Sequence, residues 1–99
     1  MHFSSIEDVR SRIDQIDSEL VKIIAQRAEC VKAAAAFKTS HAAVRAPDRV
    51  QQVVNKARAR AADLGLPEEV IETVYRAMID AFIDYELKQH DQLRQGKTD

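Results

Sequence analysis

Apolar residues recur along the first third of the chain at Val9, Ile13, Ile16, Leu20 and Ile23, then at Cys30, Ala34 and Phe37. The gaps alternate between four and three once Arg27 is counted in the row, which keeps all of them on one helical face. Ahead of the row, Ser4-Ser5-Ile6-Glu7 matches a capping box: the Ser4 hydroxyl and the Glu7 carboxylate would each satisfy an orphan backbone N–H. No Gly or Pro interrupts the pattern before Pro47, so the first helix is expected to run from Ser4 to about Lys38.

Thr39 to Ala46 reads as a loop, polar at Thr39, Ser40 and His41 and ending on a residue that precedes proline. A second helix is expected from Pro47, with the stripe Val50, Val53, Val54, Ala57, Ala61 and Leu64, ended by Gly65. A third opens at Pro67, where Glu68 and Glu69 suit the positive end of the dipole, and runs to about Gln92. Its face carries Ile71, Val74, Tyr75, Met78, Ile79, Phe82 and Tyr85. The fold class is therefore all-α with three helices, in a single domain over residues 1–99. Its core spans about 5–92, and the polar stretch 93–99 is a frayed tail.

A helix over residues 5–38 would be about 50 Å long at about 1.5 Å per residue. A compact domain of this size has a radius of gyration of only about 13 Å. The stripe continues along the overhang, so a second copy must cover it, most simply in a two-fold dimer with paired long helices. The alternative is a first helix that breaks and folds back.

Composition removes several functions. Lys and Arg number 15 against 16 Asp and Glu, which gives no bulk charge for holding nucleic acid or an acidic membrane. No apolar run approaches the roughly 20 residues that span a bilayer, and Met1 to Ser5 carries no secretory pattern. A cytoplasmic protein is expected. Cys30 is the single cysteine and lies in the first stripe, where core packing is its expected role. His2, His41 and His90 lack metal-ligand spacing, so no metal and no cofactor are expected.

Five polar residues stand out against this pattern. Arg27 occupies a seam position, where it must either pair with a carboxylate of another helix or bind an external anion. Lys38, eleven residues on, shares its face about 16 Å further along the axis. It could clasp a small dianion with Arg27, or simply offset the helix dipole. Arg10 lies about 25 Å from Arg27 and could serve such a site only from a partner chain. Arg49 sits in the first turn of the second helix, where the dipole disfavours a cation. Glu86 extends the apolar stripe of the third helix, so its carboxyl either pairs with one of these cations or is held protonated by desolvation.

Arg10 with Ile13-Asp14 and Ile16-Asp17, Leu20 to Arg27, Val31-Lys32 to Phe37-Lys38, and Pro47-Asp48-Arg49-Val50 together resemble the all-helical chorismate mutase family, from about Ile6 to Gln92. The stretch from Ala33 to Val50 is most similar to the isochorismate pyruvate lyase branch. The resemblance implies an intertwined homodimer acting on chorismate or isochorismate. In it Arg10 reaches across the interface to one substrate carboxylate, and Arg27 binds the other carboxylate region. Lys38 contacts the ether oxygen and a carboxylate, Arg49 supports the site, and Glu86 stands where a glutamine hydrogen-bonds the ether oxygen. Lys38, Glu86 and Arg27 are thus the expected catalytic residues.

Two departures pull in opposite directions. Bacterial mutases carry a glutamate at the position of Val50, and its loss removes the acceptor for the ring hydroxyl of chorismate, as in the lyases. Glu86, by contrast, matches the fungal mutases. Both reactions pass through one cyclic transition state, so catalysis rests on holding the enolpyruvyl side chain over the ring and on fixed positive charge at the breaking ether bond. Glu86 can donate to that oxygen only as the acid. The loop from Thr39 to Ala46 is expected to be a lid that orders on binding. The first reading is chorismate mutase, the alternative is isochorismate pyruvate lyase, and the third is a non-catalytic helical dimerisation module.

Overall fold

A computed structural model describes residues 2–38 and 40–95. Thr39 of the expected lid, the end of the expected tail and the side chains at 90 and 93–95 lie outside the described residues. Among the described residues four helices follow one another: α1 (Ile6–Ala35), α2 (His41–Arg45), α3 (Pro47–Asp63) and α4 (Glu68–Gln95). No strand occurs among the described residues. The chain divides into two compact units, Met1–Cys30 and Val31–Asp99.

α1 begins one residue later than the capping box suggested. Ser5, not Ser4, caps it: the Ser5 hydroxyl accepts from the Asp8 backbone N–H at 3.1 Å. The Asp8 carboxylate reaches back to accept from the backbone N–H and hydroxyl of Ser4. The side-chain hydrogen bond from Ser4 is the main reason that the Asp8 carboxyl lies below the ordinary carboxylate range. α1 also ends at Ala35 rather than Lys38. Its last turn tightens through bonds from Ala36, Phe37 and Lys38 N–H to Ala33, Ala34 and Ala35 carbonyls.

Inside Met1–Cys30 the α1 stripe lies open. Ile13, Ile16, Leu20 and Ile23 are all exposed. Cys30, expected in a core, is exposed as well.

In Val31–Asp99 the expected loop contains a helical turn, α2. The Ser40 hydroxyl caps it by accepting from Ala43 N–H at 3.1 Å, and Val44 is buried. A turn this short has little stability of its own, so docking on α4 and its caps must hold it. Ala46 then ends α2 and starts α3 in the left-handed region, at φ 33° and ψ 65°. Its N–H bonds the Ala42 carbonyl, and its own carbonyl accepts from Val50 N–H. Pro47 disfavours the right-handed alternative for Ala46.

α3 and α4 form an antiparallel-type hairpin joined by a Schellman closure. Leu66 N–H reaches the Ala61 carbonyl at 2.8 Å and Gly65 N–H the Ala62 carbonyl at 3.2 Å, with Gly65 at φ 75°. Val54, Ala57 and Ala61 on α3 and Ile79 on α4 are buried. Leu64, expected in the α3 stripe, is exposed because the chain has already left the helix there. Val74 and Tyr85 likewise turn outward, and the buried line of α4 runs through Ile79 to Glu86. Polar clamps tie the pair. Arg58 donates to Glu72 and Glu68, Arg76 Nε donates to Glu72 Oε2 at 2.8 Å, and Arg76 Nη2 donates to Gln51 at 3.0 Å.

Candidate active site

The tight end of α1 delivers Lys38 to α4. Its Nζ lies 2.7 Å from Oε2 of Glu86. Glu86 sits at 5% exposure, seven residues beyond buried Ile79, so the apolar face of α4 runs directly into a carboxylate. A desolvated carboxylate needs a partner, and the ammonium supplies it. Of the two options open for Glu86 in the sequence, the structure takes pairing with a cation. Lys38 lies just beyond the end of α1, with its ammonium turned to Glu86.

This pair has a definite chemical capacity. An ammonium has three N–H donors and Glu86 engages one. The remaining donors can serve oxygen acceptors of a small anion. Because the carboxylate anchors the lysine, the charge is fixed before a ligand arrives, which is the requirement for electrostatic catalysis.

The other expected site residues are placed as follows. Arg49 is exposed in the first turn of α3 and donates to Gln52 Oε1 at 2.7 Å. Val50, next to it, is half-buried. Arg10 is exposed and Arg27 half-buried, both on α1 within Met1–Cys30. Of the six, the structure thus joins Lys38 with Glu86, while the Arg49 guanidinium engages its own helix.

One neighbouring pair escaped sequence reasoning. His41 Nε2 and Asp91 Oδ1 lie 2.8 Å apart, linking the first residue of α2 to α4. The two are fifty positions apart, and no local pattern couples them. The readable signal was Ser40 ahead of Ala42-Ala43-Val44, a cap followed by helix formers.

This all-helical arrangement, with a lysine fixed by a buried carboxylate where the α1–α2 connection meets α4, coincides with a family match over most of the chain. Residues 9–87 match the chorismate mutase type II family, and the chain belongs to that family. Among curated proteins it is 33% identical over 91 residues to the isochorismate pyruvate lyase of Pseudomonas aeruginosa, covering 92% of this chain and 90% of that protein. It is also 33% identical over 73 residues to the T-protein of Haemophilus influenzae, covering 73% of this chain but 19% of that protein.

Proposed function

We propose that this protein is an isochorismate pyruvate lyase, cleaving isochorismate to salicylate and pyruvate. The observation that carries the reading is the similarity to the Pseudomonas lyase along nearly the full length of both chains. Val50 supports it, since an apolar side chain beside Arg49 offers no acceptor to a ring hydroxyl at the chorismate position. In the cyclic step the ether C–O bond breaks as a ring hydrogen moves to the enolpyruvyl carbon. The ring leaves aromatic and the side chain leaves as pyruvate, so no outside reagent is consumed. Lys38 stabilises the charge that builds on the ether oxygen, and Glu86 holds Lys38 in place for it.

The homodimer is part of this reading. The open stripe Ile13, Ile16, Leu20 and Ile23 is the surface that a second copy would cover. Arg10 would then reach the partner's site, where Arg27, Lys38 and Arg49 complete the cation set around a dianion, and the chain would act as one domain. No helix among the described residues is long and apolar enough to cross a membrane, and a cytoplasmic setting suits a chain with one unpaired cysteine.

A second reading, chorismate mutase giving prephenate, is favoured by Glu86, whose carboxyl matches the fungal mutases. One assay separates the readings. Purified chain is given each substrate, following chorismate absorbance and salicylate fluorescence. Salicylate release from isochorismate supports the lyase, and loss of chorismate supports the mutase. Silence with both would overturn the enzyme reading in favour of a helical dimerisation module.

A further inference from the structure

We propose that His41 and Asp91 are positioning residues that strap the connection carrying Lys38 onto α4. This rests on the reading of Lys38 as the catalytic cation.

Two polar side-chain contacts bind this connection to the same helix. Lys38 Nζ meets Glu86 at 2.7 Å, and three residues later His41 Nε2 meets Asp91 at 2.8 Å. Glu86 and Asp91 stand five positions apart on α4, so the segment is held at both ends. The backbone support near them is slight. α1 closes at Ala35, and α2 is five residues long. Lys38 keeps one backbone bond to the end of α1, at the Ala35 carbonyl, and α2 holds its place through Val44, the Ser40 cap and the His41–Asp91 contact.

The two pairs differ in kind. Glu86 is buried, whereas the His41 and Asp91 side chains are each about half exposed, at 52% and 50%. An exposed pair contributes at most about 1 kcal/mol, a factor of about five. A strap of that size tunes the fraction of molecules with Lys38 in place and leaves the fold intact. A ligand that needs the strapped state binds more weakly in proportion to that fraction. Loss of the strap therefore raises KM by up to about fivefold, the full factor applying when the strapped state is the minor one, and leaves kcat near the parent value.

The test uses the full chain with the substrate it turns over, in three forms: the parent, His41→Asp, and His41→Asp combined with Asp91→Lys. The same forms are compared by hydrogen exchange at the Val44 and Ala46 amides, which bond to the Ser40 and Ala42 carbonyls. His41→Asp sets like charges against each other and is expected to raise both KM and the exchange rate several-fold. Restoring opposite charge with Asp91→Lys should bring both back toward the parent. Unchanged exchange in His41→Asp, or failure of the second replacement to restore it, overturns the strap. A KM that stays fixed while exchange responds would overturn the positioning role. If the parent turns over neither substrate, the enzyme reading fails, and exchange alone decides whether the strap exists.

Discussion

On α3 and α4, Val54, Ala57, Ala61 and Ile79 are at most 7% exposed. On α1, Ile13, Ile16, Leu20 and Ile23 are between 44% and 60% exposed. Both regions follow the same helical code of apolar residues at gaps of three and four. The difference lies in what covers the stripe. The hairpin buries its face within the chain, and small residues at Ala57 and Ala61 let the two helices approach. α1 carries larger side chains and a longer stripe, yet they remain open. A stripe of four branched residues left in water forgoes about 1 kcal/mol for each one half-covered. The hairpin is therefore a finished piece of structure, whereas the stripe of α1 stays open, as the proposed dimer requires.

The sharpest way to break this contrast is one charge in the α1 stripe against one cavity in the hairpin. Leu20→Glu places a carboxylate in the proposed contact between copies. It should weaken self-association by about a hundredfold or more, since an unpaired desolvated charge costs about 3 kcal/mol or more. Activity should fall with it, because Arg10 then serves no neighbouring site. Val54→Ala in the hairpin should lower unfolding stability by about 2 kcal/mol and leave assembly unchanged. Sedimentation and denaturant titration of the two variants read this directly. A dimeric Leu20→Glu would remove α1 as the association surface.

Next in size is the site on the finished side. Lys38→Met should reduce kcat by about a hundredfold, the usual effect of losing a donor aimed at developing charge. It also strands buried Glu86, so stability should fall by about 3 kcal/mol. Adding Glu86→Leu should recover stability without recovering activity, which separates the structural from the chemical role of the pair. Glu86→Gln keeps an acceptor for Lys38 but removes its countercharge, so it should retain more activity than Lys38→Met. An equal loss in both variants would mean that the charge of Glu86, and not its bond to Lys38, is what the site needs.

The contrast also marks what was legible in the sequence. Stripe spacing and the positions of Pro47, Gly65 and Pro67 placed the three long helices, because each signal is local and sterically strict. The end of α1 was not legible. Ala33 to Phe37 contains no breaker, and the stop at Ala35 accompanies the docking of Lys38 and α2 on α4, contacts that span about fifty residues. α2 was hidden for the same reason, since a single turn depends on Val44 finding α4. The candidate site was legible only as a list of misplaced charges. Its pairing was not: Glu86 could have been neutral or ion-paired, and only the fold brings Lys38 to it. Arg27 and Glu86 stood out because each interrupts an apolar row, while His41 and Asp91 interrupt nothing.

A smaller effect is expected at the two left-handed residues that bound α3. Gly65 meets no atom within 4 Å of a built Cβ, so Gly65→Ala tests backbone conformation alone. It should cost about 1 kcal/mol. Ala46 already bears a similar strain at φ 33°, so Ala46→Gly should gain somewhat less than 1 kcal/mol, the added chain entropy offsetting part of the relief. Thermal unfolding of both variants checks the opposite signs. Because Ala46 also closes α2, hydrogen exchange at Val44 tells whether its strain helps hold the Lys38 connection.

The smallest expected change concerns the clamp that closes the hairpin without help from a partner. Arg76 first, and then Arg58, hold the Glu72 carboxyl below its ordinary range through hydrogen bonds. The folded state therefore favours the ionised form more than the unfolded chain does. The clamp's contribution is fully present above the unfolded carboxylate value of about 4.3. It is lost as pH falls through the lower folded value. The Arg58 and Arg76 side chains are each 42% exposed, so solvent and salt screen the gain. Glu72→Gln should thus be slightly less stable than the parent near neutrality, and the gap should close on acidification and in high salt. A gap that persists at pH 2 would mean that Glu72 supports α3 and α4 by packing rather than charge, and the hairpin would then owe its closure to its apolar face alone.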